Sequence, residues 1–120
     1  MSRGETDDGV DLTIETRRQD DAVVVSLRGE VTVFSSPALR ERLEKETGEA
    51  PGRVVLDLSE VRYVDSSGVA TFVEALRQIR RGGGEMVLAC VSDRVRGVIE
   101  IARLDTLFPM AETVEEALQS

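Results

Sequence analysis

Histidine and tryptophan are both absent from this 120-residue chain, and aromatic residues make up only 3% of it. Without an imidazole, the Ser-His-Asp and Cys-His arrangements of nucleophilic catalysis cannot be assembled within the chain, and most zinc sites are excluded as well. A Ser-Lys pair is disfavoured, because Lys45 is the single lysine and sits in a highly charged stretch that reads as an exposed helix. Cys90 is the single cysteine, so no intramolecular disulfide can form. Its setting in Met86-Val87-Leu88-Ala89-Cys90-Val91 predicts a buried strand residue rather than a reactive thiol. No cofactor and no metal are expected. No apolar run approaches the roughly 20 residues that span a bilayer, and Met1 to Gly9 is polar and acidic, unlike a secretion signal. Membrane insertion is therefore not expected, and a cytoplasmic location is.

Apolar residues account for 41% of the chain and charged residues for 32%, the balance of one globular domain with an aliphatic core. Fifteen Lys and Arg against 23 Asp and Glu give 15 − 23 = −8. Such a field repels phosphate backbones, so nucleic acid is not an expected partner. The one sizeable basic cluster, Arg77, Arg80 and Arg81, falls where a helix should end, and cations there offset the helix dipole.

Along the chain, residues 1–9 are expected to be disordered and residues 10–120 to form the domain. Val10, Leu12 and Ile14 alternate with polar neighbours, as in an edge strand. Arg17 to Asp21 reads as a polar turn, and Ala22 to Leu27 is β-branched and nearly continuous, as in a strand covered on both faces. Ser36-Pro37 is a helix start, with the helix running to about Thr47 and Leu39 and Leu43 on its apolar face. Val54 to Leu58 is a further strand. After Ser67 the spacing of Val69, Phe72, Val73, Leu76 and Ile79 is helical, and Gly82-Gly83-Gly84 ends that helix before a strand from Glu85 to Cys90. The glycines lack a following Lys-Ser or Lys-Thr and are turn chemistry rather than a phosphate loop. Ser92 or Asp93 can cap a third helix, Leu107-Phe108 a short last strand ended by Pro109, and Thr113-Val114-Glu115-Glu116 a capping box before a terminal helix. The fold class is α/β: a mostly parallel sheet of about five strands with an antiparallel edge pair, packed with about four helices.

The candidate site is Val64-Asp65-Ser66-Ser67-Gly68-Val69, between the end of a strand and the start of the best helix. On spacing alone, both serines suit ordinary helix caps. The segment from Val54-Val55-Leu56-Asp57-Leu58-Ser59 through this motif resembles the signature of STAS domains, especially bacterial anti-sigma factor antagonists. Arg28-Gly29-Glu30-Val31 is similar to that family's Gly-Glu-Leu-Asp loop, with Thr32 where the family commonly has Asp. The order of elements from Val10 to Leu118 resembles the whole domain.

The resemblance implies a function. In that family the second serine of the motif, here Ser67, is phosphorylated by an anti-sigma factor that is also a serine kinase, and a serine phosphatase reverses it. The unmodified protein binds the anti-sigma factor and frees a sigma factor for transcription. By resemblance, Ser67 is then the phosphorylation site, with Ser66 the fallback acceptor, and Gly29, Glu30, Thr32, Asp65, Ser66, Ser67, Gly68 and Val69 are partner-binding residues. The chain is a substrate and not an enzyme, since a nucleophilic serine needs a base that no histidine supplies and Asp65 supplies only weakly. The alternative implied by the resemblance is a non-catalytic STAS subunit of a larger assembly, such as a lipid-transport ATPase or a stress-sensing scaffold, in which Ser67 is only a cap or contact.

Overall fold

The computed structural model describes Thr6, Asp7 and residues 11–119. Six strands and four helices follow one another as β1 (Thr6–Asp7), β2 (Leu12–Gln19), β3 (Ala22–Val31), α1 (Ser36–Glu46), β4 (Arg53–Val64), α2 (Ser66–Arg81), β5 (Glu85–Ala89), α3 (Asp93–Ile101), β6 (Met110–Ala111) and α4 (Val114–Gln119). The strands lie in the sheet in chain order, β1 through β6. The β1/β2 and β2/β3 pairs are antiparallel, and the remaining pairs are parallel. The expected α/β architecture holds, with β1 added at the antiparallel edge. The expectation of a disordered segment over residues 1–9 meets this short strand at Thr6–Asp7. The rest of that segment, and Val10, lie outside the described residues.

Strand alternation sorts the core into two layers. Val23, Val25 and Leu27 of β3, Val54, Leu56 and Leu58 of β4, and Met86 and Leu88 of β5 pack with the apolar faces of α1, α2 and α3. The intervening Val24, Val55, Val87 and Ala89 face the other way, onto Ala117 of α4. Both faces of the central strands are thereby dry, which is why β3 reads as a continuous β-branched run.

Several elements differ from their sequence reading, each for a physical reason. β2 runs on through Arg17, Arg18 and Gln19, paired with Val24, Val23 and Ala22, so the polar turn shrinks to Asp20-Asp21. β4 is more than twice its expected length because its pairing with β3 slips between Ser26 and Arg28 and again between Gly29 and Glu30. These bulges insert extra residues on β4 and return Val61 and Val64 to the core at intervals of three, which hides the strand from a search for period two. Cys90 lies just past β5 at φ 60 and half-buried, rather than within the strand. Leu107-Phe108 is not a strand: Phe108 is buried in the core, and Pro109, lacking an N–H, offers its carbonyl to the Leu88 amide at 2.9 Å as β6 begins. The capping box at α4 is present, with the Glu116 amide donating to Thr113 Oγ1 at 3.0 Å and Glu116 reaching back to the Glu112 amide at 3.1 Å.

Gly29 has φ 118, and a Cβ there would overlap the carbonyl oxygen of Asp11. The same oxygen accepts the Glu30 amide at 2.8 Å, which ties the start of β2 to β3 where its register against β4 slips. Gly29→Ala therefore combines a forbidden backbone conformation with a backbone collision, and should lower stability by about 2 kcal/mol or more. Urea denaturation measures this, and an unchanged midpoint would refute it. Burial, followed by the charge and hydrogen bond of Asp57, pushes the Cys90 thiol above its usual range. Cys90 should thus react with iodoacetamide several-fold more slowly than free cysteine near pH 8, and an equal rate would contradict the assignment.

Candidate functional site

The motif sits at the carboxyl ends of the parallel strands β3 and β4, where Val31 pairs with Val64. Both chains leave the sheet there, β3 into the loop Thr32–Ser35 and β4 through Asp65 into α2. Ends of this kind are where open α/β sheets present their binding groups.

Asp65 organises the junction. Its backbone amide donates to the Val31 carbonyl at 3.0 Å. Its carboxylate spans two elements, Oδ1 accepting from the Gly68 amide at 3.0 Å and Oδ2 from the Val33 amide at 3.1 Å. Asp65 is thus the N-cap of α2, a role the spacing had given to the serines. Asp and Ser cap about equally well by propensity, and the second acceptor contact across the fold favours the carboxylate. The serines become the first two residues of the helix, Ser66 exposed and Ser67 half-buried. Among the described residues, neither hydroxyl has a hydrogen-bond partner.

The neighbouring loop consumes its own polar groups. Ser35 Oγ accepts from the Thr32 amide at 3.0 Å and donates to the Glu30 carbonyl at 2.9 Å. Ser36, expected to cap α1, lies inside the helix and donates instead to the Thr32 carbonyl at 2.7 Å, while Ser35 takes the cap position without a capping bond. Thr32 Oγ1 accepts from the Phe34 amide at 3.2 Å. Both serines are buried, and the apolar side chains are the ones turned out: Val33 is 55% exposed and Phe34 76% exposed. Held against Asp65 through the Val33 amide, this tip stands beside the start of α2.

The residues expected to meet a partner divide accordingly. Thr32, Asp65, Ser66 and Ser67 come together at the surface. Glu30 is half-buried on β3 and pairs with Arg62 at 3.7 Å. Gly29, Gly68 and Val69 are buried and shape the site from beneath. Gly29 sits where the register of β3 against β4 slips, Val69 belongs to the core, and Gly68 lets the helix start press onto the strand ends, where a Cβ would come within 2.8 Å of the Val31 carbonyl. Val33 and Phe34 lie in the Arg28 to Ser36 loop expected to meet a partner, but were not singled out within it, since an apolar pair carries no chemical signature of its own. The available signal was their place between a finished strand and a helix cap, in a chain so poor in aromatics. Among the described residues no group of acidic, cysteine or histidine side chains could hold a metal ion, and no helix is long and apolar enough to cross a membrane.

Comparison with known proteins places this geometry among relatives. The STAS domain family model matches residues 13–117. The anti-sigma-B factor antagonist of Staphylococcus aureus is 32% identical over 106 residues, covering 88% of this chain and 98% of that protein. The crystal structure of an anti-sigma factor antagonist from Mycobacterium paratuberculosis superposes with a TM-score of 0.82 at 26% identity, over 90% of this chain and 92% of the other. The Bacillus cell fate determinant SpoIIAA in its phosphorylated form shares the fold, with a TM-score of 0.69 at 21% identity over 88% of this chain and 96% of that one.

Removal of the Asp65 carboxylate should unfasten both elements at once. Asp65→Ala is expected to cost about 1 to 2 kcal/mol and to shift the amide resonances of Val33 and Gly68 together, whereas Asp65→Asn, with one acceptor oxygen left, should keep the Gly68 cap, shift Val33 and cost less. An alanine variant with unchanged melting and an unmoved Val33 amide would show that the bridge has no energetic role.

Proposed function

The chain belongs to the STAS domain family, and from that membership we propose that it is an anti-sigma factor antagonist: unmodified, it binds an anti-sigma factor and releases a sigma factor for transcription, and phosphorylation of Ser67 switches it off. The domain at work spans residues 10–120. The observation that carries this reading is the Ser67 hydroxyl, unclaimed by any described residue, at the start of α2 beside an exposed apolar tip. A surface of this kind suits docking, with Phe34 a rigidly presented anchor of the sort that dominates protein interfaces.

The electrostatics suit a switch. A phosphate on Ser67 adds roughly −1.5 to −2 charges, placed where the first helix amides and dipole stabilise an anion. The fold need not change to accept it. Asp65, one residue before the helix, adds like charge, so a partner face that tolerates one carboxylate meets a far stronger field after modification. The partners are an anti-sigma factor with serine kinase activity and a serine phosphatase, all in the cytoplasm. In this scheme the chain is a substrate and not a catalyst, because it has no histidine to activate a serine. Thr32 stands where the resembled loop has Asp, and its hydroxyl is spent on the Phe34 amide. Asp65 is then the carboxylate left beside the modified serine, and phosphorylation should be slow for this family. Ser66, the more exposed hydroxyl, is the fallback acceptor.

Incubation with ATP and the anti-sigma factor kinases of the same genome should give a phosphate mass increment that Ser67→Ala abolishes and Ser66→Ala retains. Ser67→Glu should weaken the complex by at least about tenfold, and Phe34→Ala by about tenfold through loss of the anchor. Titration calorimetry reads both. Undiminished binding by Ser67→Glu would defeat the switch.

A further inference from the structure

One turn along α2 from Ser66, where the helix faces α1, an open groove of 470 Å³ is lined by Arg40, Ala70, Val73, Glu74, Arg77 and Arg81. Its charge runs against the rest of the molecule. Three arginines and one glutamate give 3 − 1 = +2, on a chain whose total is −8. Glu74 is taken by Arg40 at 2.9 Å, across the two helices. Among the described residues, Arg77 and Arg81 have no ion-pair or hydrogen-bond partner, and both are exposed.

Helix chemistry accounts for part of this cluster only. Arg80 and Arg81 lie in the last turn of α2, where they oppose the dipole, and Arg80 also pairs with Glu85 at 2.9 Å. Arg77 lies before that turn. At four residues from Arg81 it adds repulsion between like charges without a compensating partner. The floor is unusual as well: Val73, which helical spacing puts on the apolar side, is half-buried and opens into the groove, with the exposed Ala70 beside it. Ser66, Ala70, Val73, Arg77 and Arg81 follow one another at intervals of three and four, so a single stripe of α2 runs from the fallback acceptor, one residue before Ser67, to the free guanidinium groups.

We propose that this groove docks an acidic segment of the anti-sigma factor, its carboxylates paired with Arg77 and Arg81 and an apolar side chain seated on Ala70 and Val73. The assignment rests on the antagonist reading above and adds to it the chemistry of the partner's contact. Charge complementarity selects the occupant. A planar guanidinium fork matches a carboxylate in bidentate fashion, and a short segment stays within about a Debye length of the arginines. A long polyanion would instead meet the acidic remainder of the chain. Docking along this stripe also sets the partner's body over Ser67, where an added phosphate opposes the same acidic segment.

The test uses the full chain and the anti-sigma factor it captures. The double reversal Arg77→Glu with Arg81→Glu should weaken binding about thirtyfold while the circular dichroism spectrum stays that of the folded chain and the melt falls only slightly, by the loss of the Arg81 contact with the helix dipole. Wild-type binding should fall as salt rises from about 0.1 M to about 1 M. If Ser67→Glu blocks the complex while the double reversal binds as wild type, the groove assignment is wrong and the antagonist reading survives. If the double reversal weakens binding and Ser67→Glu does not, the switch fails and the groove stands. As a partner-free arm, a poly-glutamate peptide and a single-stranded oligonucleotide are titrated into the labelled protein. Amide shifts at Ala70, Val73, Arg77 and Arg81 with the peptide alone support the acidic occupant of the groove. Shifts with the oligonucleotide alone, or with neither probe, overturn it.

Discussion

The carboxylate of Asp65 is the joint on which the candidate site depends. One oxygen closes the first turn of α2 and the other holds the amide of Val33 in a different connection. A serine cap could satisfy the helix but could not reach both amides, because a hydroxyl brings one acceptor atom and a carboxylate brings two. The bridge explains why a loop of mixed polarity keeps one shape. With Ser35 and Ser36 buried and bonded to the loop's own backbone, the loop has few polar groups left to exchange with solvent, and its apolar tip is pushed outward.

Much of this fold is written locally in the sequence. The apolar periodicity of α2, the β-branched run of β3, the apolar run of β5 and the capping box of α4 each follow from short-range rules, and the structure reproduces them. What escaped was set by tertiary contacts. The second half of β4 was hidden because bulges convert its period from two to three. Arg17 to Gln19 look like a turn because a strand near the sheet's edge tolerates polar residues that a central one does not. Arg42 belongs to a highly charged stretch of α1, yet its side chain is only 13% exposed, tucked against Glu46 and Thr16.

The site was legible as a segment and not as an arrangement. Asp65, Ser66 and Ser67 stand out as a cap motif, but which of them caps is decided by an amide more than thirty residues away in the chain. Gly29, Gly68 and Val69 were conspicuous for their neighbours in the motif, and their burial shows that a signature mixes residues that meet a partner with residues that make the surface possible. Phe34 carries the opposite lesson. Hydrophobicity alone does not separate a core side chain from an exposed anchor, and only the exhausted polar groups around it reveal which it is.

The absence of a side chain at Gly68 has a mechanical consequence. With no Cβ between them, the first turn of α2 already rests against the Val31 carbonyl and the side chains of Val31 and Val64, so the helix has no slack in the direction of the sheet. A bulkier group on the adjoining serine finds no room by letting the helix settle inward, and its whole volume is delivered to the solvent side. The end of this helix behaves as a rigid pedestal, on which a small chemical addition becomes a change in outer contour.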